Sequence, residues 1–220
     1  MTRPFDDVIR RLRERALRMG SLAEAILAKS LRAVFERDRA LAAAVASDDL
    51  AIDRLDVEID DAVLKALALQ APVAEDLREV VAIKMMATDL ERVGDIARNI
   101  AKSAIRLGGH PAARFSEELR TLASESQGIL RQALDAFSQN DAAAARRVLD
   151  LDDRIDGLQD EIVAGAVLGI PERPEQASEA VDVIFVAKNL ERVADHATNI
   201  AEDVILVTEA RNVKHAAKLR

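Results

Sequence analysis

An internal repeat, whose two copies lie one hundred positions apart, is the feature of this sequence that most restricts its fold. Residues 87–101 read ATDLERVGDIARNIA and residues 187–201 read AKNLERVADHATNIA, with ten of the fifteen positions identical. Packing alone restores only the apolar positions of a repeat, but here the polar positions return as well. They are Glu91, Arg92, Asp95 and Asn99 in the first copy and Glu191, Arg192, Asp195 and Asn199 in the second. We therefore interpret the chain as two copies of one structural unit, each with the same polar site.

The composition narrows the class of protein. The 220 residues include five Phe and no Trp, Tyr or Cys, so the core must be built from Ala, Leu, Val and Ile, which suits closely packed helices. The absence of cysteine excludes disulfides, thiolate zinc sites and cysteine nucleophiles. Few aromatic side chains and a net charge of −8 argue against a nucleic-acid partner.

No segment has the character of a membrane span or an export signal. The longest apolar run, residues 162–170, is far shorter than the roughly 20 residues that a membrane helix needs. The N-terminal residues have no hydrophobic signal core, so we expect a cytoplasmic protein with no integral membrane span.

Apolar residues recur at spacings of three and four along almost the whole chain, which predicts an all-α protein. Turn signals divide the pattern into six long helices, at residues 5–37, 39–70, 73–107, 114–139, 142–168 and 174–208. Asp38 and Asp141 are predicted helix N-caps. Short turns make neighbouring helices antiparallel, so we predict two tandem three-helix bundles with pseudo-two-fold symmetry, in domains 1–109 and 110–220.

The repeated carboxylates follow one flank of the third helix, since Glu91, Asp95 and Asn99 are spaced by four residues. The second helix carries a parallel acidic strip formed by Asp49, Asp53 and Asp56. Asp53 and Glu91 are each nineteen residues from Pro72, so an antiparallel hairpin brings the two strips level.

The second half has a similar strip at Asp152, Asp153 and Asp156, but its register is open. An offset of 100 pairs Asp53 with Asp153, whereas an offset of 103 pairs it with Asp156. Either offset keeps the acidic residues on the same flank, because three residues are about one helical turn.

Carboxylates that meet across two helices repel one another, and a cation would relieve the repulsion. Oxygen ligands favour a hard ion such as Mg, Mn or Ca, and Fe and Zn remain candidates. The alternative is a solvated helix flank, in which Arg92 pairs with Asp95 three residues on.

Together with the doubled Leu-Glu-Arg-Val-x-Asp signature, the segment Pro72-Val73-Ala74-Glu75-Asp76-Leu77-Arg78 resembles the PhoU family of phosphate-transport regulators, and the resemblance covers nearly the whole chain. It implies two mirrored three-helix bundles and metal clusters held by Glu91, Asp95, Glu191 and Asp195. It also implies a homodimer that is a regulator and not an enzyme. The supporting metal candidates are Asn99, Asn199, Asp49, Asp53, Asp56, Asp152, Asp153 and Asp156.

The same resemblance implies partners at the inner membrane. These are the ATPase subunit of the phosphate ABC transporter and a sensor histidine kinase, which the protein would link so that the phosphate-starvation response stays off in rich phosphate. Candidate partner-binding residues are Asp76, Arg78, Arg92 and Arg192. The second repeat departs from the pattern at residues 174–179, which read PEQASE, so a contact through Asp76 and Arg78 is in doubt there.

Two other function classes remain open. A di-iron bundle enzyme would need Glu-x-x-His pairs, and none of His110, His196 and His215 has Glu three residues before it. A metal-free scaffold would dock basic partners on its acidic strips. For His196 we favour an ordinary surface or packed histidine over a metal ligand.

Overall fold

The computed structural model describes residues 4–109 and 115–214, and within these ranges the regular structure is helical, with no strands. The elements are α1 (Pro4–Glu36), α2 (Arg39–Gln70), α3 (Ala74–Leu107), α4 (Glu117–Gln139), α5 (Ala142–Leu149), α6 (Asp152–Gly169), a short 3-10 helix (Pro174–Gln176) and α7 (Ala177–Glu209). The predicted all-α class is confirmed. The predicted domain boundary falls beside residues 110–114, outside the described part together with His110 and His215, and stays a prediction.

Local sequence signals set the helix ends. The Asp38 carboxylate accepts a hydrogen bond from the Leu41 amide, and the Asp141 carboxylate accepts from the amides of Ala143 and Ala144, so both predicted N-caps are confirmed. At the other end of α4, Asn140 adopts the left-handed conformation that commonly ends a helix.

The fifth predicted helix is interrupted. Asp150 and Leu151 form a turn that separates α5 from α6. Residues 150–153 include three aspartates, whose low helix propensity and mutual repulsion weaken a helix at this point. The pair α5 and α6 therefore occupies the place that α2 fills alone in the first repeat.

The helices form two bundles that share one core. Helices α1, α2 and α3 pack together, and α4, α5 and α6 pack around α7. The largest fully buried side chains include Leu12, Met19, Leu27, Ile52, Ile83, Leu90, Ile100 and Leu119. The predicted pair of three-helix units is confirmed.

Helices α3 and α7 join the bundles at the centre. Asp89 of α3 contacts His196 of α7, while Arg106, further along α3, contacts Asp182, near the start of α7. The two helices are therefore antiparallel. On one side of this pair α1 meets α4, where the Arg13 guanidinium donates to the Phe137 carbonyl. No helix in the described residues is both long enough and apolar enough to cross a membrane.

Candidate functional site

The hairpin of α2 and α3 assembles the first predicted group of carboxylates. We define the first acidic cluster as Asp49, Asp53, Asp56, Glu91 and Asp95. Partial burial raises the pKa of Glu91, and the negative charges of Asp95, Asp56 and Asp53 raise it further, while Arg92 opposes them. Residues from both helices therefore act on one carboxylate, as the hairpin register predicted.

Basic side chains already occupy this first cluster. Arg98 Nη1 lies 2.7 Å from Asp49 Oδ2, and Arg98 Nη2 lies 2.5 Å from Asp95 Oδ1. Lys84 pairs with Asp56 at 3.3 Å and also with Asp60. The cluster is therefore held together by the protein's own cations.

Asp49 is the most buried member of the first cluster, with 1% of its surface exposed. Burial raises its pKa despite the attraction of Arg98. Its Oδ1 atom has no hydrogen-bond partner among the described residues and lies against Gly94. The single ion pair with Arg98 therefore compensates only one of the two buried oxygens.

The second acidic cluster lies between α6 and α7 and consists of Asp152, Asp153, Asp156, Glu191 and Asp195. Burial raises the pKa of Asp152, and Asp156, Asp195 and Asp153 raise it further. The pKa of Glu191 is likewise raised by burial and then by Asp195 and Asp156. Asp152 thus takes the place of Asp49, and Asp156 that of Asp53, so the offset between the acidic strips is 103.

The second cluster lacks the counter-charges of the first. Isoleucine and threonine stand at positions 184 and 198, where the first repeat has Lys84 and Arg98. The Oδ1 atom of Asp152 is buried without a hydrogen-bond partner in the described residues. Lys188 and Arg192 lower the pKa of Glu191 through space, but neither forms an ion pair with it. The two clusters are therefore electrostatically different despite the repeated motif.

The two acidic clusters differ in how well their residues suit a bound cation. Carboxylate oxygens are the donors that hard divalent ions prefer, and the second cluster offers them with little competition from basic side chains. Within the part of the chain that the structure describes, no three His, Cys, Asp or Glu side chains are already arranged around a common ion position. A cation would therefore draw these carboxylates together as it binds.

The asparagines of the repeated motif form hydrogen bonds with residues outside the two clusters. Asn199 donates to Asp89 Oδ1 at 3.1 Å, in the interface between α3 and α7. Asn99 accepts from Lys102 at 3.2 Å on an exposed surface. His196 is a packed histidine, because its Nδ1 lies 2.8 Å from the same Asp89 oxygen.

The four candidate partner-binding residues have different surroundings. Arg92 is exposed and pairs with Glu91 at 3.4 Å and Asp95 at 3.3 Å, and Arg192 is exposed on α7. Asp76 lines a shallow groove between the start of α1 and the start of α3. Arg78 is half-buried, and its Nε has no hydrogen-bond partner in the described ranges.

Sequence reasoning missed the polar contacts that join the repeats. Besides Asp89 with His196, Arg106 Nε lies 2.7 Å from Asp182 Oδ1, and Arg37 pairs with Glu179 at 3.0 Å. One signal was present, since Asp182 and His196 are polar where the first repeat has apolar residues 82 and 96. A polar residue that replaces an apolar one in a repeat indicates a neighbour that the other copy lacks.

The PhoU domain matches the chain twice, over residues 16–104 and 119–204. A phosphate-specific transport system accessory protein PhoU homolog of Rhizobium meliloti (strain 1021) is 35% identical over 201 residues, which are 91% of this chain and 85% of the relative. The homolog of the same description from Xylella fastidiosa (strain 9a5c) is 36% identical over 207 residues, 94% of this chain and 87% of the relative.

Solved structures agree with the sequence matches. The crystal structure of PhoU from Pseudomonas aeruginosa is similar with a TM-score of 0.91 and 33% identity, covering 94% of this chain and 100% of that one. The phosphate transport system regulatory protein PhoU from Streptococcus pneumoniae is similar with a TM-score of 0.88 and 27% identity, covering 95% and 99%.

Proposed function

Because this chain belongs to the PhoU family, we propose that it is a metal-binding regulatory adaptor of phosphate homeostasis. In this role it is a negative regulator of the phosphate-starvation response. It links the ATPase subunit of the phosphate ABC transporter to a sensor histidine kinase, from the cytoplasmic side of the inner membrane. It acts as an accessory protein and not as an enzyme, in keeping with the description of its relatives. A homodimer is part of the same proposal.

One observation carries the metal part of the proposal: the second acidic cluster is poorly compensated. Asp152 has a buried oxygen without a hydrogen-bond partner in the described residues, and neighbouring carboxylates raise the pKa of both Asp152 and Glu191. Such a group holds charge that a divalent cation would stabilise. Glu191, Asp195, Asp152 and Asp156 are the residues that we propose hold it. A bound ion would neutralise this charge and tie α6 to α7.

We expect the first acidic cluster to bind a metal ion more weakly than the second. Arg98 already pairs with Asp49 and Asp95, and Lys84 already pairs with Asp56. Glu91 and Asp95 therefore bind a cation in this proposal only after Arg98 turns away. We expect one tight site in the second repeat and one weak site in the first.

Direct measurement of bound manganese tests the metal assignment. Protein purified without chelator and dialysed against Mn²⁺ should lose the tight site in the variant with Glu191→Ala and Asp195→Ala. The variant with Glu172→Ala and Glu175→Ala makes the same charge change at exposed positions of the α6–α7 connection and should keep the tight site. Equal manganese content in both variants would show that the second cluster holds no metal, and would favour the metal-free scaffold.

Gene deletion and complementation test the regulatory role. Deletion should raise the expression of phosphate-scavenging proteins in cells grown with abundant phosphate, and the wild-type gene should restore repression. Unchanged expression after deletion contradicts the proposed negative regulation, whatever the metal content. Pull-down of the tagged protein from cells grown in high and low phosphate should recover the transporter ATPase subunit and the kinase.

A further inference from the structure

The exposed apolar surface of this protein is confined to its two repeated hairpins. Every large hydrophobic side chain that is exposed in the described residues belongs to α2, α3, α6, α7 or the α2–α3 turn, and none belongs to α1 or α4. The most exposed are Leu69, Leu168, Val73, Leu64, Val57, Val167 and Phe185. These exposed side chains are confined to one hairpin in each repeat, which indicates a binding surface. Exposed hydrophobic residues scattered singly over the protein would need no explanation.

Two exposed positions are apolar in both repeats. Leu64 on α2 corresponds to Val167 on α6 at the offset of 103, and these side chains are 64% and 51% exposed. Val81 on α3 corresponds to Val181 on α7 at the offset of 100, with 38% and 43% exposed. Packing of the bundle does not call for apolar residues at positions open to water, so another contact must account for the recurrence.

In the first hairpin the two apolar positions lie side by side. Lys84 of α3 forms an ion pair with Asp60 of α2, which brings the helices together at that level. Leu64 is one turn from Asp60, and Val81 is one turn from Lys84, both towards the connecting turn. Together with the turn residues they give the first hairpin an apolar end, and Val167 and Val181 hold the corresponding positions in the second hairpin.

The surroundings of both apolar ends are acidic. Residues 56–91 carry nine acidic and three basic side chains, and residues 159–191 carry seven acidic and two basic ones. Two of the seven, Glu179 and Asp182, are buried and paired with Arg37 and Arg106. In the first hairpin Lys84 is already paired with Asp56 and Asp60. The acidic clusters lie further along the same helices, beyond the apolar ends.

The negative charge of the hairpins indicates which kind of molecule can cover their apolar ends. A second copy of this chain offers exposed apolar surface only on its own hairpins, within the described residues, and these are equally acidic, so such a contact would bring like charges together. An anionic lipid surface would be repelled for the same reason. A segment with an apolar face and flanking lysines or arginines matches both properties of the hairpin.

We propose that the apolar end of each hairpin, formed by Leu64 and Val81 in the first repeat and by Val167 and Val181 in the second, docks a cationic amphipathic helix of a partner protein. The apolar face of that helix covers the exposed side chains, and its basic residues face the acidic side chains around them. This docking rests on the proposed adaptor function and adds to it the surface and the chemistry of the partner.

The two docking surfaces are independent of each other. Since α3 and α7 are antiparallel, with Arg106 level with Asp182, residue 81 lies level with about residue 205 of α7. Val81 and Val181 are then separated by roughly 35 to 40 Å along the helix axes. A docked helix of eighteen residues is about 27 Å long. One chain therefore accepts two helices, which suits a protein that joins two partners.

Peptide binding tests the proposal on the full chain. The probe is a fluorescent eighteen-residue peptide with leucine on one helical face and lysine on the other, and the control peptide has glutamate in place of lysine. Fluorescence anisotropy should show two bound lysine peptides per chain and no binding of the glutamate peptide. The variant with Leu64→Gln and Val81→Gln should bind one peptide, with affinity for the first hairpin reduced on the order of tenfold or more.

A variant with Val167→Gln and Val181→Gln should lose the other peptide, and the fourfold variant should bind neither. The matched control changes Ser21 and Ser124 to Gln, at exposed positions of α1 and α4, and should bind two peptides. Circular dichroism should give the same helix content for all these proteins.

Three results would overturn the docking proposal. The first is that the glutamate peptide binds as well as the lysine peptide, and the second is that the fourfold variant still binds peptide. The third is that the wild-type protein is a dimer which the hairpin substitutions dissociate, because a second copy of the chain would then cover the hairpins. None of these measurements depends on manganese or on gene expression. Failure of the docking proposal is thus distinguishable from failure of the proposed regulatory function.

Discussion

Arg98 forms an ion pair with Asp49 across the α2–α3 hairpin, with Arg98 Nη1 2.7 Å from Asp49 Oδ2. The same guanidinium reaches Asp95, so it holds together two carboxylates that the repeated motif alone would assign to a metal site. Threonine stands at the corresponding position 198 of the second repeat. The second cluster therefore lacks the guanidinium that joins two carboxylates of the first.

Exchange of these two residues should exchange the metal preferences of the repeats. We expect Arg98→Thr to tighten manganese binding by the first cluster at least tenfold, because a positive charge about 5 Å away opposes a divalent cation by about 6–7 kcal/mol at an effective dielectric of about 20. Thr198→Arg should weaken binding by the second cluster to a similar extent. Isothermal titration with Mn²⁺ measures both changes. Arg131→Thr, an exposed change on α4, is the control, and affinities that follow overall charge regardless of position would contradict the prediction.

Gly94 lets α2 and α3 approach closely. A Cβ at this position would lie 2.4 Å from Asp49 Oδ1 and 3.1 Å from Ile52 Cδ1. We expect Gly94→Ala to lower the free energy of unfolding by about 1–2 kcal/mol, because displacement of Asp49 outweighs the better helix propensity of alanine. Urea denaturation measures the loss. In an Asp49→Ala background the same change should become neutral or stabilising, and an unchanged loss there would exclude contact with Asp49 as the cause.

The partly buried carboxylate of Asp89 depends on α7 for its partners, since both His196 and Asn199 contact its Oδ1 atom. His196→Ile, which introduces the residue found at position 96, should destabilise the protein by about 1–3 kcal/mol because it removes one of these partners. In an Asp89→Asn background the same change should have a smaller effect. A double-mutant cycle in urea measures the difference as a coupling energy. Equal losses in the two backgrounds would mean that His196 contributes through packing alone.

Asp203 should make stability depend on pH. Burial raises the pKa of Asp203 from 3.8 to about 6, although Lys214, at 3.1 Å, lowers it. The folded state therefore keeps a proton on Asp203 up to about pH 6, whereas the unfolded chain releases it near pH 4. Stability from this group is present at low pH and is lost as the pH rises through this window.

The comparison with Asp203→Asn isolates the effect, because asparagine does not titrate. The variant should gain about 2–3 kcal/mol relative to wild type between pH 4 and pH 7. Urea unfolding across this range measures the difference, with Asp135→Asn, an exposed change on α4, as the matched control. A constant difference between Asp203→Asn and wild type at all pH values would show that Asp203 is charged in the fold.

Much of the fold could be predicted from the sequence because its signals are local. Apolar spacing located the helices, and the cap residues Asp38 and Asp141 located two helix starts to within a residue. The break at Asp150 was not predicted, because the apolar pattern continues across it. The acidic strips were predicted to face each other, and the effects of Asp53 and Asp56 of α2 on the pKa of Glu91 of α3 agree with that register.

The remaining features of the site depend on which distant residues meet. The sequence left two offsets open for the second strip, and the burial of Asp152 beside Asp195, which matches that of Asp49 beside Asp95, distinguishes them. Asn199 and His196 carry no local sign that they face Asp89, 110 and 107 residues away. The packing of α3 on α7 brings both side chains to Asp89.

The sequence by itself determined that this protein is a duplicated helical bundle with an acidic hairpin in each half, because helix periodicity and a repeat are both properties of the chain order. Only the tertiary structure decided that the halves are unequal. Arg98 and Lys84 form ion pairs with carboxylates of the first acidic cluster, whereas the second has threonine and isoleucine at the corresponding positions. Charge compensation depends on distances between side chains from different helices, and those distances exist only after the helices have packed.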